Sequence, residues 1–404
     1  MTLAVRRSRA VLAVLVVAAL AAALLVVGSA KASHALNGKV LILESTFASS
    51  AAINEQTQAQ SLGLGADVVD DTQWAAMTAD QFAQYDAIVF GDNECDNAGD
   101  PAVTLAAPLA NLSTWVPAVT GNIFFSTADA VYHANNGSNE AGATLQITKG
   151  LAFAAGGGTT GLYFSSSCYD GDAWLNVLDA FSPGWSANSN SGDAIHVTGS
   201  AALLAGLDDA SLSGYSSSVH HFIESWASDF TVYAIATDVN TDAAAADNQA
   251  GGVGATATVT GPYTAQDGST GAPVVLIRGA NTSPSHILLQ DDQTHPVGET
   301  AHLLATVTNP NLEEQPQPTA LPVDGITVTF TAVSGPNAGR TAQGVTDSDG
   351  NVSIDYTSAV GGSDVWQASF VDTEQHTETS NQVTVTWTVA PAAAPLVIAP
   401  RFTG

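Results

Sequence analysis

Four short apolar runs punctuate the first half of the chain: Lys-Val-Leu-Ile-Leu-Glu at 39–44, Tyr-Asp-Ala-Ile-Val-Phe-Gly at 85–91, Asn-Ile-Phe-Phe-Ser at 122–126 and Gly-Leu-Tyr-Phe-Ser at 161–165. Short continuous runs of this kind predict strands buried on both faces. A further strand is expected at 66–69, and polar or amphipathic helical stretches at 50–62, 77–82, 109–116 and 143–154. Strand alternating with helix predicts βαβ units around a parallel sheet. Later strands near 230–237 and 273–278 extend the pattern, so residues 36–281 read as one doubly wound α/β domain.

From about residue 282 the period changes to two. His-Leu-Leu-Ala-Thr-Val-Thr at 302–308, Ile-Thr-Val-Thr-Phe at 326–330, Asn-Val-Ser-Ile-Asp-Tyr at 351–356 and Val-Thr-Val-Thr-Trp at 383–387 alternate apolar with polar. Short alternating strands separated by turn residues predict an antiparallel β-sandwich. Asp347-Ser-Asp-Gly350 has the composition of a tight hairpin turn. The fold class expected is thus α/β plus all-β, with a sandwich at 282–389 and a Pro/Ala-rich tail at 390–404.

The first 35 residues have the layout of an export signal. Arg6, Arg7 and Arg9 precede an unbroken Ala/Leu/Val run at 11–27, and Ala30-Lys-Ala32 supplies small residues for cleavage. The alternative is a retained membrane anchor, and at 17 residues the run is at the short limit for a span. With cleavage, no transmembrane anchor is expected and the protein is secreted or held at a bacterial cell surface.

Charge sharpens this picture. The chain has 9 Lys+Arg against 38 Asp+Glu, a formal charge of −29. So few basic residues cannot line a phosphate backbone, which excludes nucleic acid as a partner. Residues 1–35 hold four of the basic residues and no acid, so the acidity belongs to the exported part. In an oxidising compartment the two cysteines, Cys95 and Cys168, read first as one disulfide. Asp92, Glu94 and Asp96 around Cys95 disfavour its thiolate and hence a nucleophilic role.

Two resemblances follow from particular phrases. The opening strand, Tyr85-Asp-Ala-Ile-Val-Phe90, the strand at 122–126 and His196-Val-Thr-Gly-Ser-Ala-Ala-Leu-Leu-Ala-Gly-Leu207 resemble the class I glutamine amidotransferase-like, flavodoxin-like fold. Catalytic members carry Gly-x-Cys-x-Gly after the strand matching 122–126. Here that turn reads Ser126-Thr-Ala-Asp-Ala-Val131, and a later His-x-Glu pair is missing. The resemblance therefore implies the fold without the amidotransferase chemistry. The second domain closely resembles bacterial immunoglobulin-like domains of the invasin and intimin type. Pro296-Val-Gly298, Val323-Asp-Gly-Ile-Thr-Val-Thr-Phe330, Ser334-Gly-Pro-Asn-Ala-Gly339, Thr346-Asp-Ser-Asp-Gly350, Tyr356-Thr-Ser358, Gly361-Gly-Ser-Asp364 and Ser380-Asn-Gln-Val383 carry that likeness. It implies an extracellular spacer or adhesion module with no catalytic centre.

Open α/β sheets bind ligands beyond the carboxyl ends of their strands. The strands deliver Glu44, then Asp92, Glu94, Asp96 and Asp100, then Asp129 and His133, then Cys168, Asp170 and Asp172 to that crest. Asp92-x-Glu94-x-Asp96 spaces acids as a calcium loop does, but Asn97 and Val103 stand where an EF-hand needs Gly and Glu. Calcium is the one cofactor this loop suggests, against the simpler reading of a solvated acidic loop. His220-His-Phe-Ile-Glu224 is the densest group of zinc-type ligands, with His220 or His221 and Glu224 able to share a helix face and His133 or His196 as a distant third. A buried structural histidine is the alternative there.

No motif demands a reaction, so no catalytic residue is assigned. The reading favoured is a non-catalytic, adhesion-like binding protein whose partner is an extracellular ligand or surface polymer. A secreted hydrolase using Asp92, Asp129 and His133, or His220 and Glu224, is one alternative. A subunit of an extracellular assembly is the other.

Overall fold

The first apolar run becomes strand β1 (Lys39–Leu43), and the segments after it alternate as expected: α1 (Asn54–Ser61), β2 (Gly65–Val69), α2 (Asp71–Ala76), α3 (Ala79–Phe82) and β3 (Ala87–Phe90). These are followed by α4 (Ala106–Ala110), α5 (Leu112–Trp115), β4 (Ile123–Ser126), α6 (Ala130–Asn136), α7 (Glu140–Ala155), β5 (Gly161–Ser165) and α8 (Leu175–Asp179). The computed structural model describes residues 37–47, 54–91, 104–136, 138–167, 169, 172–215, 218–238, 258–260, 262–308 and 323–389. Cys95, Cys168, Asp92, Glu94, Asp96, Asp100 and Asp170 lie outside these residues.

The second half of the α/β part is richer in strands. It comprises β6 (Ser186–Gly192), β7 (Ile195–Val197), β8 (Ser200–Ala201), α9 (Asp209–Leu212), β9 (Val219–Ala227), β10 (Thr231–Ala236), β11 (Thr258–Thr260), β12 (Tyr263–Thr264) and β13 (Thr270–Arg278). The main sheet runs β2-β1-β3-β5-β4-β13-β10-β7. Its first five strands are parallel. The other three are antiparallel, joined where Val275 pairs with Ser126 and Ile277 with Phe124. The architecture is therefore a mixed sheet, only part of which has the parallel, doubly wound character expected. The crossover from β3 to β4 leaves a gap that β5 fills, which exposes the far edge of β4 to the antiparallel strands.

Alternate side chains of each strand point to opposite faces, so the sheet divides two cores. Val40, Ile42, Val89, Phe124 and Tyr163 meet Ile147 and Leu151 of α7 on one side. Leu41, Ile88, Phe90, Phe125 and Phe164 meet Trp74, Trp115 and Trp174 on the other. Gly150 lets α7 lie close, since a Cβ there would come within 2.7 Å of the Phe124 ring and 2.8 Å of Tyr163. Reciprocal caps, Asp70 with Gln73 and Thr78 with Gln81, start α2 and α3. The helix expected at 109–116 is instead split into α4 and α5.

Beyond β14 (Thr282–Ser283) the chain forms β15 (Ile287–Leu289), β16 (Gln293–Pro296), β17 (Thr300–Val307), β18 (Thr327–Ser334), β19 (Thr341–Val345), β20 (Asn351–Thr357), β21 (Gly362–Val371) and β22 (Thr377–Thr388). Sheets β15-β17-β20 and β16-β22-β21-β18-β19 pack as an immunoglobulin-like sandwich. Its core holds Leu303, Phe330, Ile354, Tyr356, Trp366, Phe370 and Trp387. The turn at 347–350 is not a hairpin, because β19 pairs with β18 while β20 pairs with β17 in the other sheet. Asp347 Oδ1 accepts the amides of Asp349 and Asn351, turning the chain from one sheet to the other. From Leu36 onward the two parts cluster as one compact unit. Among the described residues no helix is long and apolar enough to cross a membrane.

Candidate functional site

At the crest, the turn after β4 is closed by its own hydrogen bonds. Ser126 Oγ accepts the Ala128 amide at 3.0 Å and Gln146 Nε2 at 2.8 Å. Thr127 Oγ1 donates to the Val274 carbonyl at 3.3 Å, and both hydroxyl residues are fully buried. Ala128 forms a bridge with Val219, and the Asp129 amide donates to the Ser218 carbonyl at 2.8 Å. Strand β9 is thereby laid across the turn, two residues ahead of His220.

This bridge brings three predicted residues together. Asp129 Oδ2 lies 3.6 Å from His133 Nε2, on the next turn of α6, and 3.5 Å from His220 Nε2. Asp129 and His133 are buried, whereas the His220 side chain is 37% exposed and reaches solvent. The His133 ring lies 5.0 Å from Tyr215, and its Nδ1 is buried without a hydrogen-bond partner. Burial pushes the His133 pKa down from 6.5, assisted by His220 and opposed by Asp129 and Asp193. Asp193 is fixed beside Tyr215, accepting its amide at 2.9 Å and the Ser218 hydroxyl at 2.6 Å.

The other predicted residues are dispersed. His220-His-Phe-Ile-Glu224 is part of a strand and not a helix, so His220 and His221 point to opposite sides. His221 packs against Trp174 at 5.8 Å, and Glu224 accepts Asn188 Nδ2 at 3.1 Å. Glu44 and Asp172 are exposed.

A second polar group lies where the α/β part meets the sandwich. His196 of β7 has Nδ1 2.8 Å from Asp209 Oδ2 and Nε2 3.0 Å from Asp267 Oδ2. His286, one residue before β15, has Nε2 3.3 Å from the same Asp267 oxygen. Its amide donates to Glu378 Oε2 of β22 at 2.5 Å. All five side chains are buried. Burial would lower the His196 pKa, but its hydrogen bonds to Asp209 and Asp267 prevail and raise it to about 9. Asp267 resists burial in the same way, held well below the usual carboxylate range by His196, His286 and Ser269. Burial, against the opposing pull of His286, raises Glu378 to about 7.

Along the sequence His196 offers only a distant third ligand for the His220 segment, and Asp209, Asp267, His286 and Glu378 escape a reading along the chain. The accessible signal is scarcity: with 9 histidines in 404 residues, one at the very boundary between the two patterns stands out. Among the described residues, His196, Asp267 and His286 are the group whose ligand atoms all lie within 4.8 Å of one another.

No protein-family profile matches the chain, and no curated protein matches it. Solved structures give partial likenesses. The PKD domain of an M14-like peptidase from Thermoplasmatales archaeon SCGC AB-540-F20 is 21% identical over 25% of this chain and 91% of that one, with a TM-score of 0.18. Fibronectin(III)-like modules of Clostridium thermocellum CbhA are 9% identical over 25% of this chain and 95% of theirs, at 0.17. The D0-D1 domain of intimin is 14% identical over 32% of this chain and 72% of that one, at 0.18.

Proposed function

We propose that the chain is an exported, non-catalytic binding protein of the adhesion kind, whose α/β head takes an extracellular ligand or surface polymer at its crest. The sandwich serves as its rigid support. One observation carries this reading. At the turn where an amidotransferase-like domain would present its nucleophile, the Ser126 and Thr127 hydroxyls are buried in internal hydrogen bonds and β9 is paired across Ala128. Among the described residues, the solvent-reaching face of His220, backed by Asp129, is a polar feature that a ligand could meet at this turn. The acidic surface suits a saline or divalent-rich medium and repels anionic lipid.

The test is co-sedimentation of the purified chain with bacterial cells and insoluble polysaccharides, alongside model ester, amide and glycoside substrates. Saturable binding weakened by His220→Ala, with no turnover above background, is expected. Turnover abolished by Asp129→Asn would instead establish the hydrolase reading. That second reading is favoured by the Asp129–His220 pair, since a buried carboxylate behind an exposed imidazole is how a general base is oriented.

A further inference from the structure

We propose that His196, Asp267 and His286 bind one divalent transition metal of the zinc class, and that this metal fastens the α/β part to the sandwich. The three ligands come from separate segments: a sheet strand, the turn between β12 and β13, and the entry to the sandwich. Two of them, the imidazole nitrogens, lie 3.0 and 3.3 Å from one carboxylate oxygen. Tetrahedral zinc with bonds of about 2.0–2.1 Å separates its ligand atoms by about 3.3 Å. The two nitrogen–oxygen separations thus already match edges of such a tetrahedron, and all three ligand atoms lie within 4.8 Å of one another.

The surroundings are those of a metal centre. Asp209 accepts from His196 Nδ1 at 2.8 Å and orients the ring, so that a metal at Nε2 takes the place of the proton shared there with Asp267 at 3.0 Å. Asp209 is itself fixed, its Oδ1 accepting the Val197 amide at 2.7 Å. Asp267 Oδ1 accepts the Ser269 amide and hydroxyl at 2.7 and 2.6 Å, so Oδ2 is the oxygen turned to the imidazoles. Two imidazoles and a carboxylate select zinc over calcium, which prefers an all-oxygen shell.

Glu378 supplies the independent pointer. It is fully buried, and its Oε1 has no hydrogen-bond partner. A buried carboxyl oxygen without a partner is costly to desolvate, so this side of the group is the least satisfied part of the junction. Among the described residues the Lys and Arg ion pairs are Lys39–Asp67 and Arg278–Asp229, neither of which includes a carboxylate of this group. Asp209 and Asp267, both buried, have histidines as their side-chain ion-pair partners. A divalent ion bound by His196, Asp267 and His286 adds positive charge to this group, and Glu378 braces it from behind through the His286 amide.

The purified chain is to be assayed for metal by mass spectrometry, loaded with cobalt(II) for absorption spectroscopy, and melted with and without a strong chelator. One equivalent of zinc, a four-coordinate cobalt spectrum and a melting point lowered by chelator are expected. His286→Gln, which keeps much of the ring's volume, should lose the metal and the chelator effect together. A chain refolded in excess zinc that holds no stoichiometric metal and melts identically with chelator overturns the proposal. The group is then an imidazolium held between carboxylates. Full retention of metal by His286→Gln overturns it equally. If that variant does not fold, the cobalt spectrum of the parent chain decides, its absence counting against the site. These readouts are independent of ligand binding at the crest.

Discussion

Gln266 and Thr379 hold each other by both ends of one amide. Gln266 Oε1 accepts the Thr379 amide at 2.8 Å, and Gln266 Nε2 donates to the Thr379 carbonyl at 3.3 Å. A side chain of the α/β part thus imitates a neighbouring strand for β22 of the sandwich. Ser285 Oγ adds a bond to the same carbonyl at 2.9 Å, and Ser200 Oγ donates to the Ser285 carbonyl at 2.8 Å. Gln266→Ala removes the reciprocal pair and strands the Thr379 amide. The expected cost is about 1 kcal/mol, since the residue is only half-buried and water can partly replace it. Urea denaturation followed by limited proteolysis between the two parts checks this, and an unchanged midpoint with unchanged cleavage would contradict the joint described.

Gly268, two residues on, is held under the ring of His376. Its φ is +88°, and a Cβ there would come within 2.8 Å of His376 Cε1. Gly298 offers a matched control, with φ of +89° and nothing within 4 Å of a Cβ. Gly298→Ala should cost only the backbone strain, about 1 kcal/mol. Gly268→Ala should cost more, by the work of swinging His376 aside from its Asp372 partner. Thermal melting of the two variants measures the difference, and equal losses would show that the two parts do not meet at this point.

Asp364 shows what one of the sandwich motif residues does. It is fully buried and accepts the Asn337 amide at 2.8 Å, Asn337 Nδ2 at 2.6 Å and Trp387 Nε1 at 2.9 Å. It therefore ties the turn after β18 to the last strand. Asp364→Ala leaves three donors without an acceptor and should destabilise the sandwich by about 3 kcal/mol. Asp364→Asn, which keeps one acceptor oxygen, should cost less. Guanidinium titrations of both variants give the order, and reversed losses would refute the clamp.

The sandwich was legible because its strands have one wet and one dry face, so period two survives in the text of the chain. The parallel strands were legible for the opposite reason: with cores on both sides, β1, β3, β4 and β5 have continuous apolar centres, polar only at their ends. What local pattern cannot carry is lateral order. Nothing in residues 161–165 says that they insert between β3 and β4. The turn at 347–350 announces itself by composition, but which sheet receives β20 is decided by pairing with β17. The segment 219–227 misled for a related reason. Buried except at His220 and Glu224, it has no clean alternation, and the spacing of its His and Glu suits a helix as well as a strand. The junction group was invisible because Asp267 is 71 residues from His196 and 19 from His286.

The crest histidine makes the chain sensitive to acid. His133 faces Asp129 and His220, the Tyr132 and Tyr215 rings, and the charge of Asp193. Burial, the largest influence, lowers its pKa below the 6.5 of the free side chain, so the folded state favours the neutral ring. The unfolded chain then takes up its proton first as pH falls. The stability this group contributes is complete above 6.5 and drains away as pH drops toward the lower folded value. His133→Phe keeps an aromatic ring against Tyr215 but cannot be protonated. Between about pH 7.5 and about pH 5 its urea midpoint should fall less than that of the parent chain. Parallel curves for the two proteins would mean that His133 titrates alike folded and unfolded, and a parent midpoint falling less than that of the variant would mean that His133 is charged in the folded state and paired with Asp129.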